Sequence, residues 1–203
     1  GKGRGAGWGG SPRAAAVFPG GGKNRRGPRH WRAIADATGD LDAVISGLQD
    51  IVEAELAFLD ANWPEELPAH VIHADLFPDN VLMLGETVTG LIDFYFAASD
   101  FRAYDLAVTH ASWTFSDDGS HCDPVRARAL MRGYAREIAL NEAEIAALPL
   151  LARGAALRFL LTRAHDWVHT PADALVTRKN PAPFLARLRR YRADDAASLF
   201  AAA

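Results

Sequence analysis

Apolar residues between Asp40 and Asn62 recur at steps of three and four positions, which places them on one side of a helix. Asp40 is expected to cap the first turn of this helix. A shorter helical turn is expected over residues 31–37, with Gly39 ending it. Pro64 then marks a loop, so the pattern predicts one long helix early in the chain. Its periodic positions are Leu41, Val44, Ile45, Leu48, Ile51, Val52, Leu56 and Leu59.

The pattern changes after this loop to short apolar runs separated by turn residues. The runs cover residues 71–72, 81–84 and 88–92, and Gly85 and Glu86 lie between the last two. Short runs bounded by such residues are typical of strands, with Gly85-Glu86 as a tight turn. The sequence therefore predicts a β-hairpin that brings its two ends close together.

Helical periodicity returns after the hairpin. Asp100 is expected to cap the first helix of this part, and Asn141 and Glu144 have the spacing of a capping box. Pro149 either kinks the helix that opens at Asn141 or begins a new one. Asp105, inside the first helix, is interpreted as a structural buttress rather than an active-site residue. The first helix is predicted over residues 101–115, and further helices are predicted over residues 124–140, 150–169 and 183–200.

Arginines are interspersed among the apolar residues of the last two predicted helices. Arg153, Arg158 and Arg163 lie five residues apart, so they do not share one narrow helix face. Such arginines are usually surface residues or ion-pair partners, and the alternative is that one of them binds a substrate carboxylate. The arginines of the terminal helix are expected to form a solvated face. These are Arg187, Arg189, Arg190 and Arg192.

Together these elements predict an α+β protein that is mainly helical. A long helix is followed by a small hairpin and then by four or five packed helices. The hairpin should lie on the helical body, because a two-stranded hairpin is only marginally stable alone. Residues 1–30, rich in Gly and Arg, have no helix or strand period and are expected to be an irregular leader to a folded unit over residues 31–203. The leader is either a linker-like segment or an arm that binds nucleic acid.

Charge and composition narrow the class of protein. Residues 1–32 carry eight basic and no acidic side chains, which leaves 14 basic against 25 acidic side chains in the remainder. The folded part is thus acidic, which argues against nucleic acid as its partner. The single cysteine, Cys122, excludes an internal disulfide and fits a reducing compartment. No apolar run of about 18 residues and no signal-peptide core is found in the sequence, so the expected location is cytoplasmic and away from membranes.

Candidate chemistry lies at the two ends of the hairpin. His73, Asp75, Leu76 and Asn80 have the kinase catalytic-loop spacing His-x-Asp-Leu-x-x-x-Asn, and Asp93 follows thirteen residues beyond Asn80. Phosphoryl transfer needs a carboxylate to deprotonate the attacking hydroxyl and oxygen ligands for Mg²⁺. Asp75 is the candidate base, Asn80 and Asp93 are the candidate magnesium ligands, and His73 is expected to brace the loop. A turn explains each residue alone, but their joint spacing favours a phosphotransferase.

Longer stretches strengthen this interpretation. Three segments resemble the C-terminal lobe of the aminoglycoside and choline phosphotransferase group, and their sequences are most similar to the homoserine kinases of that group. They are VIHADLFPDNV, GLIDFYFAASDFRAYDLA and LPLLARGAALRFLLTRAHDW. The resemblance covers about residues 40–192. It implies a protein-kinase-like fold, ATP and Mg²⁺ as cofactors, and phosphoryl transfer to the side-chain hydroxyl of L-homoserine in threonine biosynthesis. By position, Asp75 is then the base, and Asn80 and Asp93 hold the magnesium.

One departure from that group concerns the residues before His73. They offer no strand-rich lobe, no Gly-rich nucleotide loop between strands and no strand lysine, so the chain is expected to lack the N-terminal lobe and to have little activity alone. Two alternatives stay open. One is a kinase for another small alcohol, such as choline, an amino sugar or an aminoglycoside. The other is a non-catalytic helical scaffold.

Overall fold

A computed structural model describes residue 24 and residues 27–171 and 177–201 of the 203-residue chain. The described part is mainly helical, with two small antiparallel sheets. The helices are α1 (Pro28–Thr38), α2 (Leu48–Asn62), α3 (Arg102–Trp113), α4 (Pro124–Glu137), α5 (Glu142–His169) and α6 (Ala182–Tyr191). The strands are β1 (Ala69–Ile72), β2 (Val81–Leu84), β3 (Thr87–Leu91) and β4 (Ala98–Phe101). This confirms the predicted fold class.

Helix α5 is the centre of the core. Its 28 residues pack against α1, α3 and α6, and Leu151, Leu157 and Leu160 are fully buried. The helix is long and apolar enough to cross a membrane by length and composition alone, but 61% of its apolar window is buried inside the molecule. It is therefore the core helix of this body. Pro149 lies within it, so the alternative that this proline begins a new helix is wrong.

The ends of several helices follow the sequence signals. Asn141 and Glu144 form the predicted capping box, in which each side chain bonds to the other residue's backbone N–H. Asp40 accepts hydrogen bonds from two backbone N–H groups, as predicted. It caps only a short 3₁₀ turn, because Gly47 adopts a left-handed conformation with φ of 76°. The predicted helix from Asp40 to Asn62 is thus divided, and α2 begins at Leu48.

The β-strands form two separate pairs. Strands β2 and β3 form the predicted hairpin, with Val81 opposite Leu91. Strand β1 pairs antiparallel with β4, and no local pattern in the sequence predicts this second strand. Asp100 lies in β4 and does not cap α3, so that prediction is wrong. Its carboxylate instead accepts hydrogen bonds from the Phe101 N–H and the Asn24 side chain.

The C-terminal region differs from its prediction in two ways. Helix α6 ends at Tyr191, and the chain continues to a separate 3₁₀ turn at Ala196–Phe200. Arg187 is not on a solvated face, because it is 7% exposed and donates a hydrogen bond to the Ser116 carbonyl. The expectation for residues 1–30 lies outside the described residues, apart from Asn24 and the segment from residue 27 onward. Helix α1 begins within that segment, at Pro28.

Candidate active site

The loop that follows β1 is fixed by α3 and α5. Asp105 of α3 accepts hydrogen bonds from the backbone N–H groups of His73 (3.2 Å) and Ala74 (2.8 Å). Arg158 of α5 donates to the Ala74 carbonyl. These bonds hold Ala74 at a φ of 62°, a left-handed conformation that is unfavourable for a residue with a Cβ. The interpretation of Asp105 as a structural buttress is therefore confirmed.

His73 connects this loop to the end of the hairpin. Its side chain is buried, and its Nε2 lies 2.9 Å from the Ile92 carbonyl oxygen. The ring also packs on Phe94, with 4.7 Å between the ring centroids. These contacts are those of a residue that braces the two segments against each other.

Asp75 projects from the same loop next to a buried cation. The Nη2 of Arg158 lies 3.6 Å from an Asp75 carboxylate oxygen, and the Asp75 side chain is 19% exposed. Burial raises the pKa of Asp75, whereas the positive charge of Arg158 acts in the opposite direction. Asp75 is thus a partly desolvated carboxylate that faces a cavity.

Asn80 and Asp93 occupy the two ends of the hairpin. The side-chain amide of Asn80 donates a hydrogen bond to the backbone carbonyl of Asp75 at 2.8 Å. The backbone N–H of Ile92 donates to the backbone carbonyl of Asn80 at 3.0 Å. Asp93 follows directly, in a left-handed conformation with φ of 60°. These bonds tie the residue on either side of the hairpin to the loop that carries Asp75.

The side chains of Asp75, Asn80 and Asp93 line one cavity of about 630 Å³. Its other walls include Ile34 of α1 and Phe159 and Arg163 of α5. The cavity therefore lies between the hairpin and the helical body, and α5 contributes to both the core and the site. The convergence of Asp75, Asn80 and Asp93 follows from the hairpin, but their chemical roles remain predictions.

The donor set suits a hard divalent cation. Asp75 and Asp93 supply carboxylate oxygens, and Asn80 supplies an amide oxygen. This agrees with the usual coordination of Mg²⁺, which is bound by one or two carboxylates together with substrate phosphates. Within residues 27–171 and 177–201 no group of three His, Cys, Asp or Glu side chains forms a metal site. In the acidic loop after α3, Asp118 instead accepts hydrogen bonds from Ser116 and Ser120.

The three arginines of α5 have different partners, which their spacing in the sequence did not reveal. Arg153 forms a bidentate ion pair with Glu55 of α2, at 2.7 and 2.8 Å. Arg158, 2% exposed, holds the loop and faces Asp75. Arg163 lines the cavity. The five-residue step places them around the helix, so only the tertiary packing determines which arginine reaches the site.

The helical body, the hairpin and the loop held by Asp105 and Arg158 form one lobe of a kinase-like fold. The profile of the phosphotransferase enzyme family matches residues 12–140, and the chain belongs to this family. The predicted family resemblance is confirmed.

Individual relatives match most of the chain. A homoserine kinase from Xanthobacter autotrophicus is 54% identical over 168 residues, which are 82% of this chain and 52% of that protein. One from Nitrobacter hamburgensis is 56% identical over 160 residues, which are 78% of this chain and 49% of that protein. The chain thus spans about half the length of the curated relatives it matches. An ethanolamine kinase from Plasmodium vivax has the same fold, with a TM-score of 0.57 and 15% identity, over 90% of this chain and 52% of that one.

Proposed function

We propose that this chain carries the catalytic groups of a homoserine kinase, which transfers the γ-phosphoryl group of ATP to the side-chain hydroxyl of L-homoserine. The observation that carries the proposal is the shared cavity of Asp75, Asn80 and Asp93 in a chain that is 54% identical to a homoserine kinase over 168 residues. The product is O-phospho-L-homoserine, an intermediate of threonine biosynthesis. The proposed location is the cytoplasm, where ATP and free amino acids are available.

The proposed roles follow from the surroundings of each side chain. Asp75 accepts the proton of the attacking hydroxyl, since its raised pKa brings it closer to the pH at which the enzyme works. Arg158 and Asp105 hold the loop so that this carboxylate has one orientation. Asn80 and Asp93 would hold Mg²⁺, which neutralises charge on the transferred phosphoryl group when it is bound. His73 positions the loop and does not contact the acceptor.

A chimaeric protein tests the function. The 203-residue chain is joined to the N-terminal half of the Xanthobacter autotrophicus homoserine kinase, and ADP release is measured with L-homoserine, choline, ethanolamine and an aminoglycoside. We expect turnover with L-homoserine that Asp75→Asn lowers by at least about 100-fold, since general-base catalysis contributes about 10²–10⁴. Asp60→Asn, on the exposed part of α2, serves as the control and leaves turnover unchanged.

The same assay separates the alternatives. Preferred turnover of choline, ethanolamine or the aminoglycoside would replace homoserine as the acceptor while leaving the phosphotransferase chemistry intact. No turnover with any alcohol, together with no binding of Mg²⁺-ATP in calorimetry, would favour the non-catalytic scaffold. Measuring the 203-residue chain alone in parallel tests whether it is active without the additional half.

A further inference from the structure

Arg163 places a cation in the wall of the cavity. Its Nη1 donates one hydrogen bond, to the Asn180 carbonyl at 3.2 Å, and its guanidinium lies 4.5 Å from the centre of the Phe184 ring. Among the described residues no carboxylate lies within ion-pair distance of it, although the residue is half-buried. The other two arginines of α5 differ in this respect, since Arg153 pairs with Glu55 and Arg158 faces Asp75.

The surroundings of Arg163 disfavour its charge. Burial and the nearby positive charge of Arg187 lower its pKa to about 10, and the charge of Asp75 only partly offsets this. The guanidinium stays protonated at neutral pH, so its charge is incompletely compensated inside the cavity. An anion that enters the cavity would supply the missing partner and would form charge-assisted hydrogen bonds with it.

The position of Arg163 relative to Asp75 indicates which anion fits. Arg163 lies five residues after Arg158 on α5, about 7.5 Å along the helix axis, and Arg158 is the residue that contacts Asp75. Asp75 and Arg163 line the same cavity, so an acceptor whose hydroxyl lies at Asp75 can reach Arg163 with its other end. In L-homoserine a four-carbon chain has the hydroxyl at one end and the carboxylate at the other.

We propose that Arg163 binds the carboxylate of the acceptor and thereby selects a hydroxy amino acid over an amino alcohol. This inference rests on the proposed function. Arg163 is a specificity-determining residue, and its planar guanidinium suits two parallel hydrogen bonds to a carboxylate. Choline and ethanolamine have no carboxylate and would leave it without a partner, which disfavours their binding.

Binding measurements on the full 203-residue chain test this assignment. L-Homoserine and 3-aminopropan-1-ol, which is the same molecule without its carboxylate, are titrated into the chain and followed by NMR, with Mg²⁺-ATP as a third ligand. We expect Arg163→Met to weaken L-homoserine at least about 30-fold, the lower end of the loss on removing one partner of a buried charge pair. Its affinity for 3-aminopropan-1-ol and Mg²⁺-ATP should change less than about threefold.

Two further variants control for charge and folding. Arg163→Lys keeps the charge without the planar fork, so it should recover part of the lost affinity. Arg189→Met removes a cation from the exposed side of α6 and should change no affinity. Unchanged binding of 3-aminopropan-1-ol to Arg163→Met shows that the variant is folded.

The outcomes distinguish this proposal from the proposed function. If the parent chain binds L-homoserine and Arg163→Met binds it equally well, Arg163 is not the carboxylate ligand, while homoserine remains the acceptor. If Arg163→Met weakens Mg²⁺-ATP instead, the anion at this arginine is a phosphate, and the proposal is wrong. If the parent chain does not bind L-homoserine, this inference fails, whereas the proposed function is decided separately by turnover of the chimaera.

Discussion

The helical body, formed by α1 to α6, and the β2–β3 hairpin differ in how far their apolar side chains are buried. In the body, large side chains such as Leu148, Leu157 and Tyr104 are fully buried. On the hairpin, Leu82 is 46% exposed and Leu84 is 76% exposed. Apolar burial is the main stabilising contribution to folding, so the body supplies the stability of the chain. The hairpin supplies chemistry and depends on the body for its position.

The connection between the two regions is mostly polar. The loop that carries Asp75 is attached to α3 by Asp105 and to α5 by Arg158, and His73 joins it to the end of the hairpin. A few charge-assisted bonds therefore determine the orientation of the candidate catalytic groups. This division predicts that substitutions in the body change global stability, whereas substitutions at the connection change local order.

The largest effect is expected from shortening one leucine in the body. Leu157→Ala should lower the free energy of unfolding by about 3 kcal/mol, because α5 is packed on several sides and cannot close the cavity that remains. Leu84→Ala on the hairpin should change it by less than about 0.5 kcal/mol. Urea denaturation of both variants measures the difference. Equal losses would show that the hairpin is as much a part of the core as α5.

The second effect concerns the connection itself. The two carboxylate oxygens of Asp105 accept hydrogen bonds from the backbone N–H groups of His73 and Ala74. Asp105→Asn removes the negative charge and replaces one of these acceptors by an NH₂ donor. We expect these two amides to exchange with solvent about 30-fold faster, which corresponds to about 2 kcal/mol of local opening. Exchange of the Leu160 amide, in the middle of α5, should change far less. A uniform increase across all three amides would mean that the loop and the body open as one unit.

The candidate site was easier to predict than its support, for a physical reason. The spacing of Asp75, Asn80 and Asp93 is local, since a short hairpin brings its ends together whatever surrounds it. Arg158 lies 84 residues from the carbonyl it binds, and no period in the sequence relates the two. Strand β4 was missed for the same reason, because it forms by pairing with the distant β1. Local signals therefore predicted which side chains meet at the cavity, and only the tertiary fold reveals which residues hold them there.

The third effect tests how closely the body is packed. A Cβ at Gly154 would lie 2.4 Å from a Trp63 ring atom and 2.6 Å from a Trp31 ring atom, whereas a Cβ at Gly133 of α4 meets nothing within 4 Å. Gly154→Ala should destabilise the chain by about 1–3 kcal/mol through overpacking. Gly133→Ala should stabilise it by up to about 1 kcal/mol, since alanine favours helices.

Thermal unfolding of the two variants provides the measurement. Opposite signs for the same substitution in two helices would confirm that α5 is in direct contact with both tryptophans. A gain in stability for both would show that the tryptophan rings move apart easily, and the body would then be less rigid than the comparison with the hairpin assumes.

The smallest effect is expected at Asp75 itself, and it is a gain in stability at neutral pH. Burial raises its pKa above the ordinary value of 3.8, so the folded chain binds the Asp75 proton more tightly than the unfolded chain does. Stability from this group is therefore lost as the pH rises from about 3.8 through the raised pKa. Asp75→Asn has no charge to bury, so it should be slightly more stable than the parent at neutral pH, and the gain should shrink as the pH falls.

Asp123 provides a control with the reverse dependence. Its carboxylate caps α4, and hydrogen bonds from the Arg126 and Val125 N–H groups lower its pKa. The folded chain releases this proton more readily, so the stability from Asp123 is present at neutral pH and is lost as the pH falls through the lowered pKa. Asp123→Asn should therefore lose stability relative to the parent at neutral pH, where Asp75→Asn gains it. If both variants had the stability of the parent at every pH, the charge of Asp75 would not destabilise the fold. The candidate site would then not lower the stability that the helical body provides.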